Sequence, residues 1–174
     1  MSFSMIIAIA SPPIVDTSRV AQELAKRHGL NLHSDPTKAV AEGYGFQTLY
    51  DMPEALQRKV REDLIRDHLA FVSRQDGVVL DYSVYNWLAD WMRWFWNHTP
   101  TEKWEEILAL ASAITERYSV VHHLESGPEK AYDGFVWRDR RNSKQIDGLL
   151  KSLFDELKVG AKLRSDSGKD TFRG

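Results

Sequence analysis

The chain has 174 residues, 43% of them apolar and 28% charged, with a formal net charge of -2. That length predicts one domain with a sizeable core, and the near-neutral balance offers no general attraction to nucleic acid or an anionic membrane. The absence of cysteine excludes disulfides, a thiol nucleophile and zinc–thiolate sites, and fits a cytoplasmic protein.

Met5 to Ala10, MIIAIA, has the unbroken hydrophobicity of a strand buried on both faces. It is too short for a signal peptide or a membrane span and lacks a basic leader. A loop follows, then a helical pattern with Val20, Ala21, Leu24 and Ala25 on one face. Strand, loop and helix invite comparison with the phosphate-binding pattern G-x-x-x-x-G-K-[ST]. Ser11 then takes the first glycine, Asp16 the second, Thr17 the lysine and Ser18 the hydroxyl, with Pro12 and Pro13 between them. Such a loop grips phosphate with inward backbone N–H groups at the positive end of a helix dipole. Ile14 and Val15 suit that curvature poorly, at roughly 1–3 kcal/mol for each strained residue. Asp16 either sets a carboxylate beside the phosphates or caps the helix and occupies the same N–H groups. Thr17 removes the ammonium, and Ser18 keeps the hydroxyl a magnesium ion uses. An ordinary strand–turn–helix explains the stretch equally well.

His28-Gly29 predicts a helix stop and Leu30 to His33 a second strand, which places Asp35 at its carboxyl end, where open α/β sheets bind ligands. The alternative for Asp35, followed by Pro36, is a helix cap. A glycine-rich break, Gly43-Tyr44-Gly45-Phe46, precedes a helix predicted from the acidic turn Asp51–Glu54 to about Arg74. Its buried stripe reads Leu56, Val60, Leu64, Ile65, Leu69 and Val72. Arg58, Lys59, Arg61, Glu62, Asp63, Arg66 and Asp67 read as a solvated face. Val78 to Asp81 is then a buried strand ending in a carboxylate, the Walker-B arrangement that holds magnesium or its water.

Tyr85 to Asn97, YNWLADWMRWFWN, carries more aromatic rings than one core face can hold. The surplus can stack nucleobases, anchor a partner protein or a second copy, or pack a large core. Thr99-Pro100-Thr101-Glu102 predicts a capping box opening the next helix. Ser119 to Glu125 reads as a strand; its adjacent His122 and His123 face opposite sides, so at most one can enter a metal site. Ser126 to Asn142 is a loop with Arg138, Arg140 and Arg141, and Ser143 to Leu157 an amphipathic helix. Val159 to Leu163 is read as a last strand, and the polar tail from Arg164 as disordered.

Taken in order, SPPIVDTS, HSDPTKAV, EGYGF, VVLDYS and YDGFVWRDRR resemble the small P-loop NTPases of the nucleoside- and nucleotide-kinase-like group. The nearest branch is the ATPase-like one that includes nicotinamide riboside kinases, and the match spans most of Met5 to Leu157. The sequence departs from that pattern at the loop, at Tyr82, where the family has arginine, and at Arg138, displaced after Phe135-Val136-Trp137. The resemblance implies a three-layer α/β fold, a parallel sheet flanked by helices with a small helical and lid region, in one domain over 1–163. It also implies roles for named residues. Ser11, Pro12, Pro13, Asp16, Thr17 and Ser18 would line the cofactor loop, and Ser18 and Asp81 would hold magnesium. Asp35 would act as base or substrate anchor, and Arg138, Arg140 and Arg141 would cover the phosphates as a lid. Two functions are carried forward. One is a domain with a degraded loop that binds a nucleotide-like ligand, or a protein partner through Trp87–Trp96, without standard turnover of magnesium-ATP. The other is an ATP-dependent phosphotransferase.

Overall fold

The computed structural model describes residues 4–125, 127, 129–130 and 140–166, with Arg140 and Asp166 described by backbone alone. The order is β1 (Met5–Ala10), α1 (Ser18–His28), β2 (Asn31–His33), α2 (Thr37–Gly43), α3 (Glu54–Ser73), β3 (Gly77–Leu80), α4 (Val84–Phe95), α5 (Thr101–Arg117), β4 (Val120–Leu124), α6 (Arg140–Glu156) and β5 (Leu163–Asp166). All the strands pair parallel, in the order β2-β3-β1-β4-β5. The unbroken apolar run of β1 is therefore the central strand, buried from both sides.

Strand alternation divides the core in two. Ile6, Ala8 and Ala10 of β1, with Val78 and Leu80 of β3, face a layer built from α3, α4, α5 and α6. Ile7, Ile9 and Val79 face α1 through Ala21, Leu24 and Ala25. Gly29 ends α1 in the left-handed region at φ 65, where the missing Cβ removes the steric cost.

Three sequence expectations are corrected. The polar tail does not begin at Arg164: residues Leu163 to Asp166 form β5, paired with Val121 to Leu124, and Gly160–Lys162 is a 3-10 turn rather than strand. The capping box at Thr99 is absent. The Thr99 hydroxyl donates to Phe95 O at 2.7 Å and accepts the Trp91 indole N–H at 2.9 Å, so it closes α4 instead of opening α5. Arg61 is not on a solvated face. The buried stripe of α3 runs Val60, Arg61, Leu64, Ile65, His68 and Val72, and Arg61 is 2% exposed.

No helix among the described residues is long and apolar enough to cross a membrane.

Candidate functional site

Register brings the carboxyl ends of the strands level. Ala8 of β1 pairs with Leu80 of β3, and Ala10 with His123 of β4, so Ser11, Asp35 and Asp81 emerge at one rim. Ligands of open parallel sheets bind at such a rim.

The loop from Ser11 to Ser18 is closed upon itself. Ile14 and Val15 are 8% and 4% exposed and pack with Ile7, Ile9 and Leu24 on the α1 side. Val15 forms an antiparallel bridge with Glu129, and the Lys130 N–H donates to Ile14 O at 2.9 Å. Asp16 Oδ1 accepts the Ser18 N–H at 2.9 Å. Its neighbour Ser18 holds the Asp16 carboxyl below its ordinary value, with a smaller contribution from the charge of Lys130. Thr17, at the lysine position, turns inward and donates its hydroxyl to the Asp81 carbonyl at 2.8 Å. Of the two outcomes open to Asp16, the structure has the cap.

Asp35 likewise caps: its Oδ1 accepts the N–H and hydroxyl of Thr37 at the start of α2. Its own N–H donates to Asp81 Oδ1 at 2.9 Å, so the two carboxylates at the ends of β2 and β3 stand side by side. Burial raises the Asp81 carboxyl above its ordinary value, against the opposing effect of the Asp35 N–H and the Ser34 hydroxyl. Asp81, one of the two expected magnesium ligands, thus already accepts the Asp35 N–H.

Next to this rim lies a cavity of about 400 Å3 that reaches between α3 and α4. Asp35, Asp81 and Lys130 border it towards the loop, and Tyr50, Trp87 and Trp94 supply aromatic walls. Its floor is an ion pair. Arg61 donates through Nη2 and Nε to Asp90 Oδ2 at 2.6 and 3.1 Å, and Tyr50 donates its hydroxyl to Asp90 Oδ1 at 2.6 Å. The Arg61 guanidinium also lies 5.1 Å from the Phe95 ring centre and 5.4 Å from that of Tyr50. Burial and the Asp90 carboxylate push the Tyr50 phenol well above its ordinary value, so it stays a donor. Two polar atoms of cavity-lining residues, both buried behind the cavity surface, have no hydrogen-bond partner among the described residues: Trp87 Nε1 and Asn142 Oδ1.

Behind the cavity wall a buried polar chain crosses the sheet. The Val84 N–H donates to Tyr118 Oη at 3.1 Å, which meets His68 Nε2 at 2.7 Å. His68 Nδ1 meets Tyr82 Oη at 3.2 Å, and Tyr82 Oη meets His33 Nδ1 at 3.2 Å. Burial, helped by His33, pushes His68 down to about 3, so its imidazole is neutral. Tyr82 therefore fills the position after Asp81 with a phenol that points into the core rather than with a cation.

Of the expected lid, Arg138 lies outside the described residues, and Arg140 is placed at the start of α6 without its side chain. Arg141 is exposed on the first turn of α6 and is not among the cavity-lining residues. The histidine pair separates as strand geometry requires. His123 is buried, with Nε2 2.8 Å from Asp147 Oδ1 and Nδ1 3.9 Å from Glu125. Those three side chains are close enough to share a metal ion, but the Lys151 ammonium already bonds both carboxylates, at 3.3 and 2.9 Å. In the tryptophan segment Trp87, Trp91 and Phe95 are core, while Trp94 and Trp96 are 39% and 50% exposed.

Arg61, Asp90, Lys130 and Asn142 were missed by sequence reasoning. Arg61 and His68 had a signal: at positions i and i+7 they share the helical face of Leu64 and Ile65, and a charge on an apolar stripe needs a partner. Asp90 carried no signal without knowledge of how α4 crosses α3.

No protein-family model matches the sequence, and no curated protein matches it. Solved structures do. A NadR protein in complex with NAD and AMP-PNP superposes with a TM-score of 0.69 at 12% identity, over 95% of this chain and 45% of that one. A NadR protein in complex with NR gives 0.70 at 12% identity, over 98% and 46%. Deoxyadenosine kinase from M. mycoides with bound dCTP gives 0.53 at 10% identity, over 97% and 93%. The chain thus spans under half the length of the NadR chains. With its five parallel strands and the helices on both faces, its fold is that of the P-loop kinases.

Proposed function

We propose that this chain is a kinase-fold domain that binds a nucleoside- or nucleotide-like ligand in the cavity between the sheet rim, α3 and α4, without standard turnover of magnesium-ATP. The bond from the Ser18 N–H to Asp16 Oδ1 carries the second half of this reading. It spends on a carboxylate the helix-terminal N–H that a polyphosphate requires, and sets a negative charge in the same place. Within the loop itself, the buried side chains of Ile14 and Val15 and the inward Thr17 leave neither glycine freedom nor an ammonium.

The first half rests on the cavity. Its volume suits a nucleoside, and the rings of Tyr50, Trp87 and Trp94 on its walls suit an aromatic base. NAD, AMP-PNP, NR and dCTP, bound by the solved structures of like fold, belong to the same chemical class. A protein partner would instead meet Trp94 and Trp96, the exposed rings of the segment.

One observation favours phosphoryl transfer as the second reading: Asp35 and Asp81 converge on the cavity, where a base and a metal ligand would stand. Titration calorimetry separates the two. A nucleoside panel is expected to include binders and magnesium-ATP to give no heat. Submillimolar ATP affinity, or ATP-dependent phosphorylation of a nucleoside that Asp35→Asn abolishes, selects the transferase.

A further inference from the structure

The carboxyl end of β4 and the middle of α6 share a second polar cluster, His123, Glu125, Asp147 and Lys151, and none of the four lines the cavity. His123 points from β4 to α6, where it is buried with its ring centre 5.1 Å from that of Phe154. Its Nε2 is 2.8 Å from Asp147 Oδ1. In a neutral ring that bond takes the proton, fixes the orientation of the imidazole and leaves the lone pair on Nδ1. Nδ1 lies 3.9 Å from Glu125 Oε1, too far for a hydrogen bond. Two bonds to a zinc-like ion, each about 2.0–2.2 Å, span such a gap. One ligand atom each from His123, Glu125 and Asp147 lie within 4.8 Å of one another. An imidazole with two carboxylates is the donor set of a zinc site that keeps an open position. The Lys151 ammonium now bridges the carboxylates, 3.3 Å from Glu125 Oε1 and 2.9 Å from Asp147 Oδ2. A cation thus already sits where the two charges converge. It is a weak occupant, because Lys151 is 53% exposed and its flexible stem lets the ammonium turn out to water.

We propose that His123, Glu125 and Asp147 form a site for a divalent ion of the zinc class, with the Lys151 ammonium as its exchangeable occupant. A dication balances both carboxylates at once and adds a bond to the buried imidazole that an ammonium cannot make. Glu125 leads into the stretch in which Glu129 bridges Val15 and the Lys130 N–H donates to Ile14 O. An ion held here therefore ties the start of that stretch to α6. The site shares no residue with the cavity, so a failure of nucleoside binding leaves it standing.

The test uses the full chain without an affinity tag and zinc(II) as the probe, read by titration calorimetry. The native protein is expected to bind zinc, and magnesium in its place to give no heat, because an imidazole ligand selects against the harder ion. His123→Gln is expected to weaken zinc at least about tenfold. Glu125→Gln, at a half-exposed position, carries the same comparison if the histidine variant does not fold. Lys151→Met keeps the aliphatic stem and removes the competing charge, so it should bind zinc about tenfold more tightly than native. Native protein that leaves zinc free overturns the proposal. So does zinc affinity that survives both His123→Gln and Glu125→Gln, magnesium binding equal to that of zinc, or no gain in Lys151→Met.

Discussion

The loop after β1 and the cavity beside it share one rim of one sheet, yet they are built on opposite principles. The loop's polar groups are satisfied internally: Asp16 holds Ser18, Thr17 holds the Asp81 carbonyl, and Ile14 and Val15 are core. The cavity's polar groups are only partly satisfied, with a paired Arg61–Asp90 floor and an unpartnered indole N–H. The two can differ because they belong to different cores. Ile14 and Val15 pack on the α1 side of the sheet, whereas Arg61, Trp87 and Asp90 stand on the α3–α4 side. A phosphate loop binds with its backbone, so on the reading proposed above the apolar side chains of Ile14 and Val15 turn such a loop into core and leave a cavity lined by side chains on the other face unaffected.

The largest effect expected from breaking this contrast is on the cavity floor. Arg61→Ala leaves Asp90 and Tyr50 facing an empty, largely buried space and should cost about 3 kcal/mol in urea unfolding. A cost below about 1 kcal/mol would show that the floor is not a rigid unit. Acid comes next. Because burial lowers His68 from 6.5 to about 3, the unfolded chain takes up a proton that the folded chain refuses. Its contribution to stability is intact above the ordinary histidine range and is lost as pH falls from about 6.5 towards about 3. The loss is on the order of 3 kcal/mol by pH 4. Imidazole nitrogen shifts should show His68 neutral at pH 5, and a protonated ring at that pH would sink the argument.

Rebuilding the loop is the third test. Ile14→Gly, Asp16→Gly and Thr17→Lys together remove a buried side chain and the Asp81 carbonyl bond, so the variant should lose about 2–4 kcal/mol. Magnesium-ATP is nevertheless expected to protect it against thermal unfolding, with phosphoryl transfer near background, because catalysis also needs charge that tightens on the transition state. Full turnover would mean that the rest of the site was already complete. The smallest effect, and the sharpest, belongs to Trp87→Phe. Trp87→Phe removes an unpartnered N–H together with part of a ring packed on Tyr82 and His68, and should cost the free protein about 1–2 kcal/mol. It should also weaken a bound nucleoside about tenfold by calorimetry. Equal affinity would remove the indole from the site.

What the sequence made legible follows physical range. The apolar run of β1, the stop at Gly29 and the strand ending in Asp81 are local signals, and all are present. Asp35 and Asp16 were readable as caps because an Asx side chain meets its own backbone two residues on. Arg61 was misread because seven charged residues on one helix look like a single face, until the stripe is counted through Ile65 and His68. Glu129 and Lys130 were beyond reach, since their bridge to Val15 joins segments more than a hundred residues apart. The strand at Leu163–Asp166 was lost for a similar reason. Its residues after Leu163 are polar, and pairing with the edge of β4 makes a strand of them.

The chain of groups behind the cavity obeys the counting rule of ice: each member gives one proton and takes one, so fixing one end fixes all. The Val84 N–H is that end, since an amide cannot turn round. Tyr118 must then spend its proton on His68 Nε2, which puts the single proton of that neutral ring on Nδ1, facing Tyr82. Tyr82 in turn gives its own proton to His33 Nδ1. The first amide of α4 thus sets, through four bonds, the direction in which the Tyr82 phenol turns its proton, towards the edge strand of the sheet.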